Sequence, residues 1–270
     1  MATILKREFA PISDTAWNQL DAEAARVIRA NLAGRRVVDV AGPHGWEFAA
    51  VNTGRLHLGD HKAAEGIPWG ARIVLPLVEA RNGFKLAQME LDDYDRGAKD
   101  VDIDPLLEAA AKVAHFEDRA VFNGFSEAGI TGLLQALAHD PVNLPADGAN
   151  FPAVVGQAVK VLALAGIGGP YALVLGPEPY FHLYGTAIRH GYPAYRAIGD
   201  ILQGGEIVRC PVIDSGLVLS TRGGDFELTL GQDFSLGYAN HDRDSVELFI
   251  TESFTFRVLE PRAAVALNPA

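Results

Sequence analysis

The sequence predicts a mixed α+β fold, and three observations carry that prediction. Two long helical stretches carry apolar residues at helical spacing, one near the N-terminus and one soon after residue 100. Short β-like runs separated by Gly/Asp turns fill the last quarter of the chain. No internal repeat, coiled-coil heptad or flexible linker divides the sequence, so interwoven subdomains are expected.

The first helix is predicted from Ser13 to Leu32, where Ser13 can cap, Asp14 complements the positive end of the helix dipole, and Gly34 follows as the stop. Trp17, Leu20, Ala24, Val27 and Ile28 recur at spacings of three and four, giving one stripe to bury. Arg26 and Arg29 are expected on the opposite, polar face.

From Arg36 to Val78 the pattern changes to short β-like runs, at Val37 to Val40, Arg55 to Leu58 and Ile73 to Val78. A polar stretch with three glycines, Gly59 to Gly70, separates the last two. Two strands joined by such a long tip make an arm that reaches away from the body, and arms of this kind bind a neighbour.

A second helix is signalled by Asp104 as cap and Pro105 at the first position. Its apolar stripe runs through Leu106, Ala110, Val113, Phe116, Ala120 and Val121 until Gly124. A third helix is predicted from Phe151 to Ala165, broken by the glycine-rich stretch ending at Pro170 and followed by a strand at Tyr171 to Leu175. Further strands are expected at Glu206 to Ile213, Leu217 to Ser220, Phe226 to Leu230, Val246 to Ile250 and Ser253 to Leu259.

Composition limits function. With 34 acidic residues against 23 Lys and Arg, the formal charge of −11 argues against binding nucleic acid. No apolar run approaches the roughly 20 residues a membrane helix needs, and the N-terminus lacks the apolar segment of a signal peptide, so a soluble, intracellular protein with no membrane partner is expected. The single cysteine, Cys210, excludes metal sites built on cysteine pairs and an intramolecular disulfide.

The segments that invite a chemical reading each have a plainer one. Gly124 to Ala128 places Ser126 in a loose likeness of a nucleophile elbow, but a helix precedes it and Ala128 replaces the required glycine. Asp100, Asp102 and Asp104 open like a calcium loop, yet Pro105 and Ala111 stand where glycine and glutamate are needed, and Asp104 is better explained as a cap. The glycines at 166, 168 and 169 follow a helix and precede a strand, the reverse of a phosphate loop. His182 and His190 are eight apart in a Tyr/Gly-rich region and read as surface residues rather than metal ligands. The residues by themselves thus indicate no catalytic group, no metal and no cofactor cradle, and stop at an oligomeric α+β protein.

From end to end, however, the chain resembles the encapsulins, also described as linocin-like bacteriocins. The likeness is carried by Leu5 to Ile12 with Trp17, Leu32 to Val40, Gly42 to Glu47, Leu75 to Glu79, Glu117 to Ala120, Gly169 to Tyr171, Arg222 to Phe226, Gly231 to Tyr238 and Glu252 to Phe256. Their order and spacing together are far more specific than any one of them.

The resemblance implies the tailed-phage major capsid protein fold. A peripheral domain is expected over 1–50, 82–135 and 223–270, an extended loop over 51–81 and an axial domain over 136–222, with Asp104 to Phe122 as the spine helix. It further implies a cytoplasmic homo-oligomer closed into an icosahedral nanocompartment. The enclosed partner would be a dye-decolorising peroxidase, or next a ferritin-like iron-storage protein, held by its C-terminal targeting peptide, with a role in oxidative stress or iron storage. Cargo peptide is expected on Arg35, Val38, Asp39, Asp233, Phe234 and Leu236, and a fivefold pore around Tyr184, Arg189, His190, Gly191 and Tyr192. Flavin-binding members carry an aromatic just before a Glu-Leu-Asp segment; here the stretch reads Gln88-Met89-Glu90-Leu91-Asp92, so no cofactor is expected. Two alternatives stay open, a prophage major capsid protein and, from the enzyme class, a serine hydrolase or bacteriolytic protein using Ser126.

Overall fold

Local chemistry starts the first helix where the sequence places it. The Ser13 hydroxyl accepts the Ala16 N–H at 3.1 Å and opens α1 (Asp14–Asn31). The chain is described by a computed structural model over residues 4–60, 65–186 and 192–269. Trp17, Leu20, Ala24 and Ile28 of α1 are buried, and the helix packs on α3 (Asp104–Asn123), reached after β1 (Asp39–Ala41), β2 (Ala50–Leu58), β3 (Gly70–Pro76), β4 (Val78–Ala87) and α2 (Gln88–Arg96). Asp104 is not the cap of α3 but its first residue; the Asp102 carboxylate, two positions earlier, accepts the Asp104 N–H at 3.2 Å. The shift is the difference between the residue that begins the helix and the one whose side chain can reach back to it.

After α3 the chain forms α4 (Leu133–Ala136), β5 (Val142–Leu144), α5 (Phe151–Leu164), β6 (Tyr171–Leu175), α6 (Pro177–Gly185), α7 (Ala194–Ile201) and β7 (Ile207–Arg209). It ends with β8 (Gly216–Ser220), β9 (Phe226–Leu230), β10 (Ser235–His241), β11 (Ser245–Val258) and β12 (Ala264–Pro269). Among the described residues the strands make three sheets.

The first sheet is organised by β11. Its N-terminal half is flanked by antiparallel β10 and β4, and its C-terminal half pairs with β9, which pairs in parallel with β1. The two strands expected at Val246 to Ile250 and Ser253 to Leu259 are therefore one. Thr251 and Glu252, polar residues that read as a break, are fully buried in its middle.

The second sheet runs β5-β12-β8-β6-β7 and is covered by α5 and α6, on which α7 packs. Strand β12 pairs antiparallel with β8 and parallel with β5, so residues 264–269 join the sheet of the 136–222 segment, which differs from the boundary expected at 223–270. Likewise β4 begins at Val78, inside the span expected for the loop, because Val78 to Arg81 pair with Phe254 to Thr251 of the main sheet.

The third sheet is the arm, in which β2 and β3 pair only with each other among the described residues. Its register slips between Asn52 and Arg55, where the Asn52 side chain accepts the Gly54 N–H at 2.8 Å and Gly54 takes φ +72°. That bulge bends the ribbon. Residues 61–64 of the expected tip lie outside the described ones.

Candidate functional site: a groove between the first helix and strand β10

A groove of about 590 Å³ opens between α1 and β10. Ala24, Ile28 and Leu32 form one wall, Phe234 and Leu236 the other, and Ile250 of β11 the floor. Arg35 stands at one end, on the short turn Gly34–Arg36 that follows α1.

The turn is held from below by α3. Asp118, fully buried, accepts the N–H groups of Ala33 and Gly34, each at 2.8 Å. Glycine at position 34 gives this approach room, because a Cβ would lie 3.1 Å from the Asp118 carboxylate and 3.3 Å from Val121 and would push them back by a few tenths of an ångström. Burial pushes the Asp118 carboxyl up to about 7, against the two backbone donors that favour its charge.

Arg35 joins the core to the groove. Its Nε donates to both Glu117 oxygens at 2.9 and 3.0 Å and its NH2 to Oε2 at 2.6 Å. The NH1 group donates to Asp233 at 2.8 Å, and the guanidinium lies 4.6 Å over the Phe234 ring. Burial works against the Arg35 charge, but Glu117 and Asp233 outweigh it and hold the guanidinium above its ordinary range.

Glu117 and Glu252 are both fully buried and lie side by side under Arg35. Glu117 takes the three arginine bonds; among the described residues Glu252 reaches no hydrogen-bond donor, and Arg35 NH2 lies 3.7 Å from it. Burial first, and then the Glu117 charge, raise the Glu252 carboxyl well above the carboxylate range. Burial raises the Glu117 carboxyl as well, but the Arg35 bonds oppose that shift at Glu117 and favour charge there over Glu252.

Of the residues expected to bind peptide, the fold brings four together on the groove: Arg35, Asp233, Phe234 and Leu236. Val38 and Asp39 lie elsewhere. Strand β1 leaves the groove to run beside β9, placing both on a separate polar hollow of about 130 Å³ with Thr221 and Gly223, where Asp39 accepts the Gly224 N–H. Arg29, expected on the far polar face of α1, instead lines the groove.

The remaining candidates sit apart. Tyr184, near the end of α6, stacks on Tyr195 of α7 at 4.9 Å and lies 4.8 Å from Tyr180; burial and the Tyr180 hydroxyl push its own hydroxyl up to about 12. Tyr192 is exposed, while Arg189, His190 and Gly191 lie outside the described residues. Ser126 is on a single short turn after α3, where its hydroxyl donates to Glu127 at 3.0 Å. Gln88 to Asp92 open helix α2.

Glu117 and Glu252 escaped the sequence reading as a pair. The signal was present: Glu117 and Asp118 interrupt the apolar stripe of α3, and Glu252 sits inside an apolar β run, positions where a charge requires a partner.

Residues 1–255 match the family model described as encapsulating protein for peroxidase. The chain is 45% identical to the type 1 encapsulin shell protein of Rhodospirillum rubrum, covering 98% of this chain and 96% of that one. To that of Mycobacterium tuberculosis it is 43% identical, covering 98% of both. Among solved structures, the virus-like particle from Pyrococcus furiosus superposes with a TM-score of 0.64 at 16% identity, over 93% of this chain and 99% of that one. Mycobacterium phage Bobi gives 0.59 at 13% identity, over 89% and 91%. The architecture is thus that of the phage capsid proteins, shared at identities that speak for the fold alone, whereas the end-to-end relatives above 40% identity are shell proteins: the chain belongs to the type 1 encapsulin shell protein family.

Proposed function

We propose that this chain is a structural subunit that closes with its copies into a hollow icosahedral shell, and that the groove between α1 and β10 docks a short peptide of an enclosed cargo protein. The observation that carries the shell is the arm. Leu58 is 76% exposed and Ile67 67%, and Leu56, Ile73 and Val74 are exposed with them on a ribbon that has no other strand beside it among the described residues. Apolar surface and free strand edges of this extent favour burial against a neighbouring copy.

In this reading the shell works in the cytoplasm, carries no catalytic residue and needs no flavin or other cofactor. The arm of β2 and β3 forms the interlocking loop, 136–222 meet their copies at the symmetry axes, and the loop from Tyr184 to Tyr192 lines the fivefold pore. The cargo is a dye-decolorising peroxidase in preference to a ferritin-like protein, a choice supported by the description of the matching family. Apolar peptide side chains suit walls of Ala24, Ile28 and Leu236, while Arg35 and Asp233 orient polar groups at the end. Each dock can be weak, since an oligomeric cargo engages several at once.

The test is co-expression with a candidate peroxidase, with and without its last ~15 residues, a length set by how short docking motifs are. Electron microscopy should show hollow particles, filled only when the tail is present. A truncated cargo that still fills the shell overturns the docking, and the absence of particles overturns the shell.

A further inference from the structure

The groove does not run the whole length of α1. Arg7, in the segment before the helix, crosses from strand to helix: its Nε donates to the Leu236 carbonyl at 3.1 Å and its NH2 pairs with the Asp21 carboxylate. Leu236 and Asp21 both line the groove, so Arg7 ties the two walls together at the end opposite Arg35. The same guanidinium lies 4.2 Å over the Trp17 ring, and beyond it a second hollow of about 500 Å³ is lined by Arg7, Ala10, Ile12, Asp14, Trp17 and Asn18. Arg7 is the partition between two hollows on one helix.

The edge of β10 indicates how an occupant would lie. Leu5 already pairs with it through its carbonyl, which accepts the Tyr238 N–H at 2.8 Å. Backbone groups alternate sides from one residue to the next, so the Leu236 N–H points to the same outer edge as that of Tyr238, in line with the N-terminal segment. An extended peptide would continue there the added strand that Leu5 begins.

We propose that Arg7 is the end stop of this groove, a specificity-determining residue that limits the docked peptide to about five residues and sets its register. The inference rests on the peptide-docking reading above. Asp21 to Leu32 spans about 16 Å of helix, which holds about five extended residues. With the partition gone, the trough from Asp14 to Leu32 would be about 27 Å long and would hold about eight. Alternate side chains of the strand would face the groove, so apolar residues are required at every second position.

The experiment is a loading competition in cells producing the full-length chain. Two fluorescent reporter proteins of different colour carry C-terminal tags of alternating leucine and glycine, one of about five residues and one of about eight, with an untagged reporter as control. Wild-type shells should take up both tagged reporters equally. In Arg7→Ala shells the longer tag should win several-fold, approaching the tenfold that one further buried leucine contributes. Asp21→Ala removes the other half of the tie and should shift the ratio the same way, so it decides the matter if Arg7→Ala yields no shells. A colour ratio unchanged from wild type in the variant that assembles overturns the end stop while leaving docking intact. Wild-type shells that take up neither tagged reporter above the untagged control overturn the docking reading and the end stop with it.

Discussion

Strands β3 and β11 are both rich in β-branched and apolar residues, yet nearly every residue of β3 is exposed while the middle of β11 is buried without a gap. What separates them is neighbours. Strand β11 is paired on both sides along its N-terminal half and covered by α3, whereas β3 has β2 alone among the described residues. The same residue chemistry is thus satisfied within one chain in the sheet and left for a second chain in the arm. Damage to the sheet should therefore appear as lost stability, and damage to the arm as lost assembly.

The largest stability effect is expected at Arg35. Arg35→Met strands the buried Glu117 carboxylate and should cost about 3–5 kcal/mol, read as a lower urea midpoint of the subunit. Glu252→Gln tests the raised Glu252 carboxyl: a neutral amide keeps a donor beside Glu117 and adds no second charge, so this variant should stay within about 1 kcal/mol of wild type. A loss as large as that of Arg35→Met would contradict the upward shift of the Glu252 carboxyl.

The next effect is a pH dependence confined to the buried side. Asp118 holds its proton up to about 7 in the folded state but loses it near 4 when unfolded. The folded protein therefore binds more protons between these values, and stability should fall as pH rises from about 4 to about 7. The size is on the order of a few kcal/mol, with Glu252 acting in the same sense. Urea midpoints measured across this range check the sign, and Asp118→Asn should flatten the slope while weakening the fold, since an amide cannot accept both backbone N–H groups with its nitrogen.

Smaller changes follow toward the surface. Phe234→Ala removes a groove wall and the ring under Arg35, so cargo uptake should drop several-fold for a stability cost of about 1 kcal/mol. Glu23→Ala breaks an exposed pair with Arg26 on α1 and should change stability by less than about 1 kcal/mol.

Much of this contrast was legible in the sequence. The stripe Trp17, Leu20, Ala24 and Ile28 marked the buried face of α1 because helical spacing is a strong signal. The glycine-rich interval after Leu58 marked the arm. Strand β10 was missed because Gly237 and the bulge after Tyr238 spoil its alternation. Helices α2 and α7 were missed because nine and eight residues leave too few turns for a stripe. The groove was half legible: Arg35, Asp233, Phe234 and Leu236, grouped from the sequence, line one groove, but the turn that sends Val38 and Asp39 to a separate hollow depends on the parallel pairing of β1 with β9, a long-range contact with no local signature. Arg29 was misplaced because a charged side chain beside an apolar stripe reads as solvated, whether or not a groove opens there.

The account turns on the arm being completed by neighbouring copies, and the mass of the particle measures that directly. Light scattering on the size-exclusion peak of the wild-type chain should give a species in the megadalton range, and Leu58→Asp with Ile67→Asp should give a small species with an unchanged unfolding temperature, since both residues lie outside the core. A wild-type chain that stays monomeric at micromolar concentration, or a doubly charged arm that assembles as readily as the original, would contradict it.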